Sequence, residues 1–329
     1  MEMVEHNISG VKLEKLRQDA RKKRKILCRF FPVMFLVLVG ISIWRYRFVF
    51  SYFVVYGWKN DITQGGFFMF LGSLMLSAIF TAVAFIFYFM LVCRKAYDRY
   101  NFSFKNRFVL DTVRQIPGFS ELRYDSGGGL SYNEVSKMNL VMEGNSLFFQ
   151  SSDALSGMLD GVRFYACNVK TAEKAKGRRS LPDTLFEGQV LIFSTFDDRK
   201  ISRGFVQAFP KNKLKQIKPK AAPLHIETEN SVFHETFAVF AENEENAFYI
   251  LTPQVQEKIM EFQKAMSGPV YLSFVDSKLY VTCDQMKNPF DACLDMSIEQ
   301  QRQQIVKDTE ILKSAREILI QLSEHPVEA

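Results

Sequence analysis

FFMFLGSLMLSAIFTAVAFIFYFMLVC, residues 67–93, is the stretch that decides the fold, because its 27 consecutive residues carry no charge. A hydrocarbon core of roughly 30 Å needs only about 20 helical residues to cross it. The stretch therefore reads as a transmembrane helix. Working outward, the uncharged run from Phe30 to Trp44 covers 15 residues. Ile26 to Cys28 extend it, with Arg29 able to snorkel to the headgroups and Pro32 read as close enough to the helix start to be tolerated. It reads as a second span. A cleaved signal peptide is the rival, but the basic head is long and WRYRF follows where small residues should stand.

Charge then orients the pair. Residues 1–25 hold eight Lys and Arg and 94–107 hold five, against three in the connecting 45–66. The positive-inside rule predicts both termini in the cytoplasm and the connection outside. Aromatic residues at both ends of that connection, Trp44 and Tyr46, then Tyr56 and Trp58, favour the headgroup layer over a separate ligand-binding domain. The expected organisation is a basic cytoplasmic segment 1–25, spans 26–47 and 67–93, an extracytoplasmic connection 48–66, a juxtamembrane helix 94–116 and a cytoplasmic domain 117–329.

A sequence pI near 8.9 suggests nucleic acid, yet residues 108–329 carry 25 Lys and Arg against 30 Asp and Glu, a formal −5. The excess positive charge lies beside the apolar runs, where such clusters touch anionic lipid. Arg21, Lys22, Lys23, Arg24, Lys25, Arg94 and Lys95 are the candidate headgroup contacts. No nucleic-acid partner is expected. The basic stretches 170–179 and 211–220 read as solvated loops, with contact to the inner leaflet as the functional alternative. Five cysteines without CxxC spacing argue for neither disulfides nor zinc.

Within the second run Ser73, Ser77 and Thr81 stand four apart beside Ala78 and Ala82. Small residues let helices approach closely, here the first span in preference to a second copy. The helix is expected to continue past Cys93 to Pro117-Gly118. Beyond it the pattern is mainly β: LVMEGNSLFFQ around a Gly-Asn turn, VRFYACNV, LFEGQVLIFSTF and GFVQAFP. Thr252-Pro253 opens a helix that stops at Gly268. PVYLSFV and KLYVTC form a strand pair turning at Asp276-Ser277. Ser297 to Gln300 has capping-box form and opens a helix to Ser323. Its seam of Ile298, Ile305, Leu312 and Leu319 predicts docking on the sheet, because the companion seam is only half apolar, as a coiled coil would not be.

Catalytic signatures are weak. HETFA at 234–238 begins like HExxH but has Ala238 where the second histidine belongs. ENEEN lacks the central glycine and spaced ligands of a calcium loop and reads as a solvated turn between strands FAVFA and AFYIL. SGGGL at 126–130 lacks the Lys-Ser/Thr of a phosphate loop. His225 and His234 stand nine apart in a segment that also holds Glu227, Glu229 and Glu235, and read as two ordinary surface or strand histidines in preference to a metal pair. No catalytic residue, metal or cofactor is assigned.

Four blocks carry a resemblance: LSGMLDGVRFYACNV (155–169), LFEGQVLIF (185–193), FAVFAENEENAFYILTPQVQEKIMEF (237–262) and PVYLSFVDSKLYVTC (269–283). Through them the chain resembles the bacterial two-pass membrane proteins of the domain of unknown function 3137 family. The resemblance spans the apolar runs and most of 117–295, leaving 170–184, 211–232 and the Gln-rich last helix as departures. It implies topology and domain extent and transfers no catalytic residues. The expectation is an α+β protein: two transmembrane helices, then a mainly antiparallel sheet with packed helices in the cytoplasm of a bacterial inner-membrane protein. It would serve as a scaffold or sensor for a protein partner or the inner leaflet, homo-oligomerisation being left open. A membrane-tethered hydrolase using His225, His234 and nearby acids is the competing class.

Overall fold

Helix formers dominate the amino end, and in this computed structural model α1 (Glu2–Arg45) is a single helix of 44 residues. The structure describes residues 2–47, 51, 61–174, 181–194, 205–213, 224–275, 278–284, 288 and 290–323. Most of the 48–66 connection, the Asp276-Ser277 turn, half of the basic stretch 170–179 and the larger part of 211–220 lie outside these. Pro32 stands well inside α1, not near its start. Without an N–H it deprives the Cys28 carbonyl of its i+4 donor, a loss that surrounding turns of strong helix formers tolerate.

The second helical run begins with α2 (Asp61–Tyr88) and passes through a π-helical turn at Phe89–Arg94 into α3 (Lys95–Ser103). A second π turn, Phe104–Val109, leads into α4 (Leu110–Arg114), after which the chain turns at Gly118 with φ +93°. This end is where Pro117-Gly118 placed it. The chain divides into two compact units, 1–104 with 292–298, and 105–291 with 299–329.

In the first unit α1 and α2 run antiparallel. Phe31 meets Phe85 and Tyr88 at ring-centroid distances of 5.5 and 5.7 Å, and Tyr46 meets Phe70 at 5.9 Å. Leu27, Phe31 and Cys93 are buried at this contact, with Met34, Ala84 and Tyr88 against them. Both helices are long and apolar enough to cross a membrane, and their most apolar windows are only 17% and 11% buried.

The second unit is built on one antiparallel sheet of nine strands, ordered β1-β2-β3-β4-β9-β8-β5-β7-β6. The first four are β1 (Phe119–Asp125), β2 (Gln150–Leu159), β3 (Val162–Glu173) and β4 (Asp183–Ser194). They form a meander, with Leu159 paired to Val162 across Asp160-Gly161. Both turn residues have positive φ, 44° and 84°, as a two-residue hairpin loop matching the strand twist requires. The remainder are β5 (Val206–Pro210), β6 (Leu224–Ile226), β7 (Phe237–Ala241), β8 (Val270–Val275) and β9 (Lys278–Asp284). The expected β8–β9 pair inserts between β4 and β5. At Gly188 a Cβ would stand 1.9 Å from the Cys283 carbonyl oxygen, so only glycine lets β4 and β9 approach there.

Among the described residues five helices accompany the sheet: α5 (Tyr132–Met138), α6 (Ser231–Thr236), α7 (Glu244–Ile250), α8 (Pro253–Ala265) and α9 (Ile298–Ser323). Thr252 caps α8 through the Val255 N–H at 3.4 Å, with Pro253 at the first helical position. Ile305, Leu312 and Leu319 of α9 are buried, as its apolar seam requires. A core of Leu140, Val169, Val190, Phe209 and Tyr271 packs with the α5 residues Val135 and Met138.

Two local expectations are corrected. LVMEGNSLFFQ does not form a strand pair: Leu140 and Val141 are buried outside any strand, and Asn145 caps a 3-10 turn at Ser146–Phe148 through the Leu147 N–H. The acidic ENEEN is not a turn between strands. FAVFA is β7, but Asn243 caps α7 through the Asn246 N–H at 2.8 Å, and AFYI is helical. Glu244 and Glu245 sit in the first turn of α7, where carboxylates complement the positive end of the helix dipole.

Candidate functional site

The predicted headgroup contacts gather at one end of the α1–α2 pair, because α1 enters its apolar run just after Arg21–Lys25 and the second run leaves its own at Arg94-Lys95. Lys22, Arg24, Lys25, Arg94 and Lys95 are exposed, and Arg21 and Lys23 are half-buried. They divide by partner. Lys23 pairs with Asp19 at 2.6 Å, Arg24 with Asp295, and Arg94 with Asp98 at 3.9 Å. Such exposed pairs contribute about 0–1 kcal/mol each. Lys22, Lys25 and Lys95 have no ion pair among the described residues, and the same is true of exposed Arg29 and Arg99 nearby.

A turn earlier on α1, Arg17 has a structural role. It is 6% exposed and donates to the Leu294 carbonyl at 2.8 Å and to both Glu14 carboxylate oxygens at 2.5 and 2.9 Å. The hydrogen bonds from Arg17 hold the Glu14 carboxyl below its usual range. Tyr97 donates to the Ala292 carbonyl at 3.1 Å, so α1 and α3 hold segment 292–298 between them.

In the second unit the structure assembles a buried polar cluster that no sequence pattern announced. Asp153 occupies a bulge in β2 where the register with β3 shifts, and its φ is +59°. The left-handed backbone turns its side chain inward, where it is fully buried. Lys105 donates to Asp153 at 2.9 Å and to Asp291 at 2.8 Å. Asn288 donates to the same carboxylate at 2.5 Å, Ser152 at 3.0 Å, and the Tyr124 hydroxyl donates to its other oxygen. Asn168 donates to Asn288 at 2.7 Å.

Burial pushes the Asp153 carboxyl towards neutrality, but the hydrogen bonds from Tyr124, Asn288 and Lys105 outweigh it and hold the pKa below the ordinary carboxylate range. Burial works against the Lys105 ammonium in the same way, and its bonds to Asp291 and Asp153 reverse the effect, raising its pKa. Tyr124 is pushed upward by burial and by the Asp153 charge, so it stays a phenol donor. Tyr124, Ser152, Asn288 and Lys105 all donate to the Asp153 carboxylate. The arrangement ties the helical residue Lys105, the bulge of β2, Asn288 and Asp291 together.

The histidines have ordinary surroundings. His225 lies exposed on β6 with its ring 5.3 Å from that of Phe240, and His234 is in the last turn of α6. Among the described residues no group of three or more His, Cys, Asp and Glu could hold a metal ion. Cys167 and Cys283 are buried thiols, the latter pushed up to about 12 by burial.

Fold and site together define a mixed helix-and-sheet protein bearing two long apolar helices with cations at their ends. Residues 183–323 match the model of a family described as "Protein of unknown function (DUF3137)". The match bears out the resemblance over β4 to α9 and extends through 211–232 and the last helix, where the chain departs from the family pattern. No curated protein matches the chain. No solved structure matches it.

Proposed function

We propose that two spans anchor this chain in a bacterial inner membrane with both termini in the cytoplasm, and that the α+β unit acts there as a scaffold or sensor for another protein or for the inner leaflet. One observation carries the reading. The most apolar windows of α1 and α2 are 17% and 11% buried, whereas the core helix of a water-soluble domain hides its apolar face. Met69, Leu76, Phe80 and Phe87 are each more than 60% exposed. In water such a surface would drive aggregation; in lipid it is the favourable solvent contact.

The cation count supports the direction of insertion, with eight and five Lys and Arg on the flanks against three in the connection. The functional consequence is tethering, since confinement to a membrane surface raises the effective concentration of a domain for partners there. No reaction is assigned. The test is fractionation of the full chain together with topology reporters fused after Ala329. The expected result is a membrane pellet resistant to alkaline extraction and activity of a cytoplasmic reporter. Activity of a periplasmic reporter would invert the topology, and recovery in the supernatant would remove the anchor.

A further inference from the structure

The α1–α2 contact does not close along its whole length. On one side a groove of about 430 Å³ opens between Cys28, Pro32 and Phe35 of α1 and Ala78, Ala82 and Phe85 of α2. Its volume falls within the roughly 300–1,000 Å³ of small-molecule sites. Two side-chain facts make it apolar. Ala78 and Ala82 are too short to reach the facing helix. Thr81, which also lines it, donates its hydroxyl to the Ser77 carbonyl at 2.8 Å, satisfying its polar atom within its own helix.

Helix spacing places cations beyond one end of the groove. Cys28, Pro32 and Phe35 are spaced by four and three, so they lie on one face of α1. Continued towards the amino end, that face carries Lys25 and Arg24, three and four residues before Cys28, and Arg21, seven before it. At a helical rise of ~1.5 Å per residue, Lys25 and Arg24 stand about 5–6 Å beyond Cys28 along the axis. Lys25 is exposed and without an ion pair among the described residues, while Arg24 shares Asp295. An apolar slot that ends at cations complements an amphiphile with an anionic head and an apolar tail.

We propose that this groove is a binding site for an anionic phospholipid, with one acyl chain lying along Ala78 and Ala82 and the phosphate against Lys25 and Arg24. The site rests on the membrane reading above and adds to it a defined, selective lipid. Charge complementarity favours lipid over a second copy of the chain: a parallel partner helix in the groove would bring its own Arg21–Lys25 cluster beside this one, and like charges repel.

The full-length chain, extracted in mild detergent, is mixed with equal amounts of palmitoyl-oleoyl phosphatidylglycerol and phosphatidylcholine and analysed by native mass spectrometry. Expected is one phosphatidylglycerol retained per chain in preference to phosphatidylcholine. Ala82→Phe, which fills the groove, should abolish retention, and Val83→Phe, on the exposed face outside the groove, should keep it. Lys25→Gln alters an exposed side chain without an ion pair among the described residues, so folding should be retained; it should weaken retention about fivefold. Equal retention of both lipids, retention undiminished in Ala82→Phe or Lys25→Gln, or a lipid-free dimer lost on Ala82→Phe would overturn the proposal. A chain that pellets with membranes yet selects no lipid overturns the groove alone. A chain found in the supernatant overturns the anchor and the groove with it.

Discussion

Phe68, Met69, Met75 and Phe80 on α2 are each more than 60% exposed, whereas Phe193, Phe209 and Phe274 in the sheet have no exposure at all. The same kinds of side chain therefore meet opposite environments in the two units. Polar groups are reversed as well. In the helical pair, hydroxyls such as Ser77 and Thr81 bond back to their own helix, at 2.8 Å each. In the sheet unit a carboxylate is carried into the interior and surrounded by donors from β1, β2, the helical Lys105 and the 288–291 segment. A helix satisfies its backbone internally and can present apolar groups to lipid; a sheet must cover its faces and so builds a core.

The largest expected effect lies in the buried cluster. Lys105→Ala leaves Asp153 buried without its cation and should cost about 3–5 kcal/mol in chemical denaturation followed by circular dichroism. The pH dependence has two limits. Asp153 has a depressed folded pKa, so its contribution is present above the unfolded value of about 3.9 and is lost as pH falls through the lower folded value. Lys105 has a raised folded pKa, so its contribution is present below about 10.4 and is lost as pH rises through the higher folded value. Asp153→Asn should flatten the acid limb; an unchanged acid limb would place the sensitivity elsewhere.

A matched pair of truncations addresses the comparison directly. Phe209→Ala should destabilise the sheet unit by about 3–5 kcal/mol, and Phe80→Ala should change the stability of the detergent-solubilised protein by less than about 1 kcal/mol. Equal losses would break the contrast. Slightly smaller is the effect of a charge on the exposed face of α2. Ile79→Arg should oppose insertion by about 2.5–3.5 kcal/mol, read as the share of chain in the membrane pellet; improved solubility with normal folding would mean that this face meets water. The smallest effect is at a helix cap, where Thr252→Ala should lower stability by about 1 kcal/mol and Thr252→Ser should restore it, as measured by thermal melts.

Elements whose signal is local were legible before any coordinates. The apolar run 67–93, the stop at Pro117-Gly118, the cap at Thr252-Pro253, the β8–β9 pair and the helix from Ile298 each follow from a few adjacent residues. Where two local signals compete, sequence reasoning failed. AFYI has the aromatic and β-branched residues of a strand, but the Asn243 cap and the carboxylates of the first turn make it helix. β1 and β2 were missed because each is broken by a bulge at a positive-φ acid, Glu121 and Asp153, which upsets the two-residue alternation.

The site divides along the same line. The basic residues around Arg21–Lys25 and Arg94-Lys95 stand out by composition, because a run of like charge is visible without any knowledge of the fold. Which of them have no ion pair among the described residues, Lys25 and Lys95, and which are paired, Arg24 with Asp295, depends in part on a segment 271 positions away. Lys105 and Asp153 are 48 apart and Asn288 is 135 beyond Asp153, and none has a patterned neighbour. By itself the sequence determined which parts are apolar enough for lipid and where helices start and stop, since hydropathy and capping are short-range properties of the chain. Only the tertiary structure decided the strand order, the groove beside Ala82 and the burial of Asp153, because those arise from contacts between residues that the backbone brings together only once it has folded.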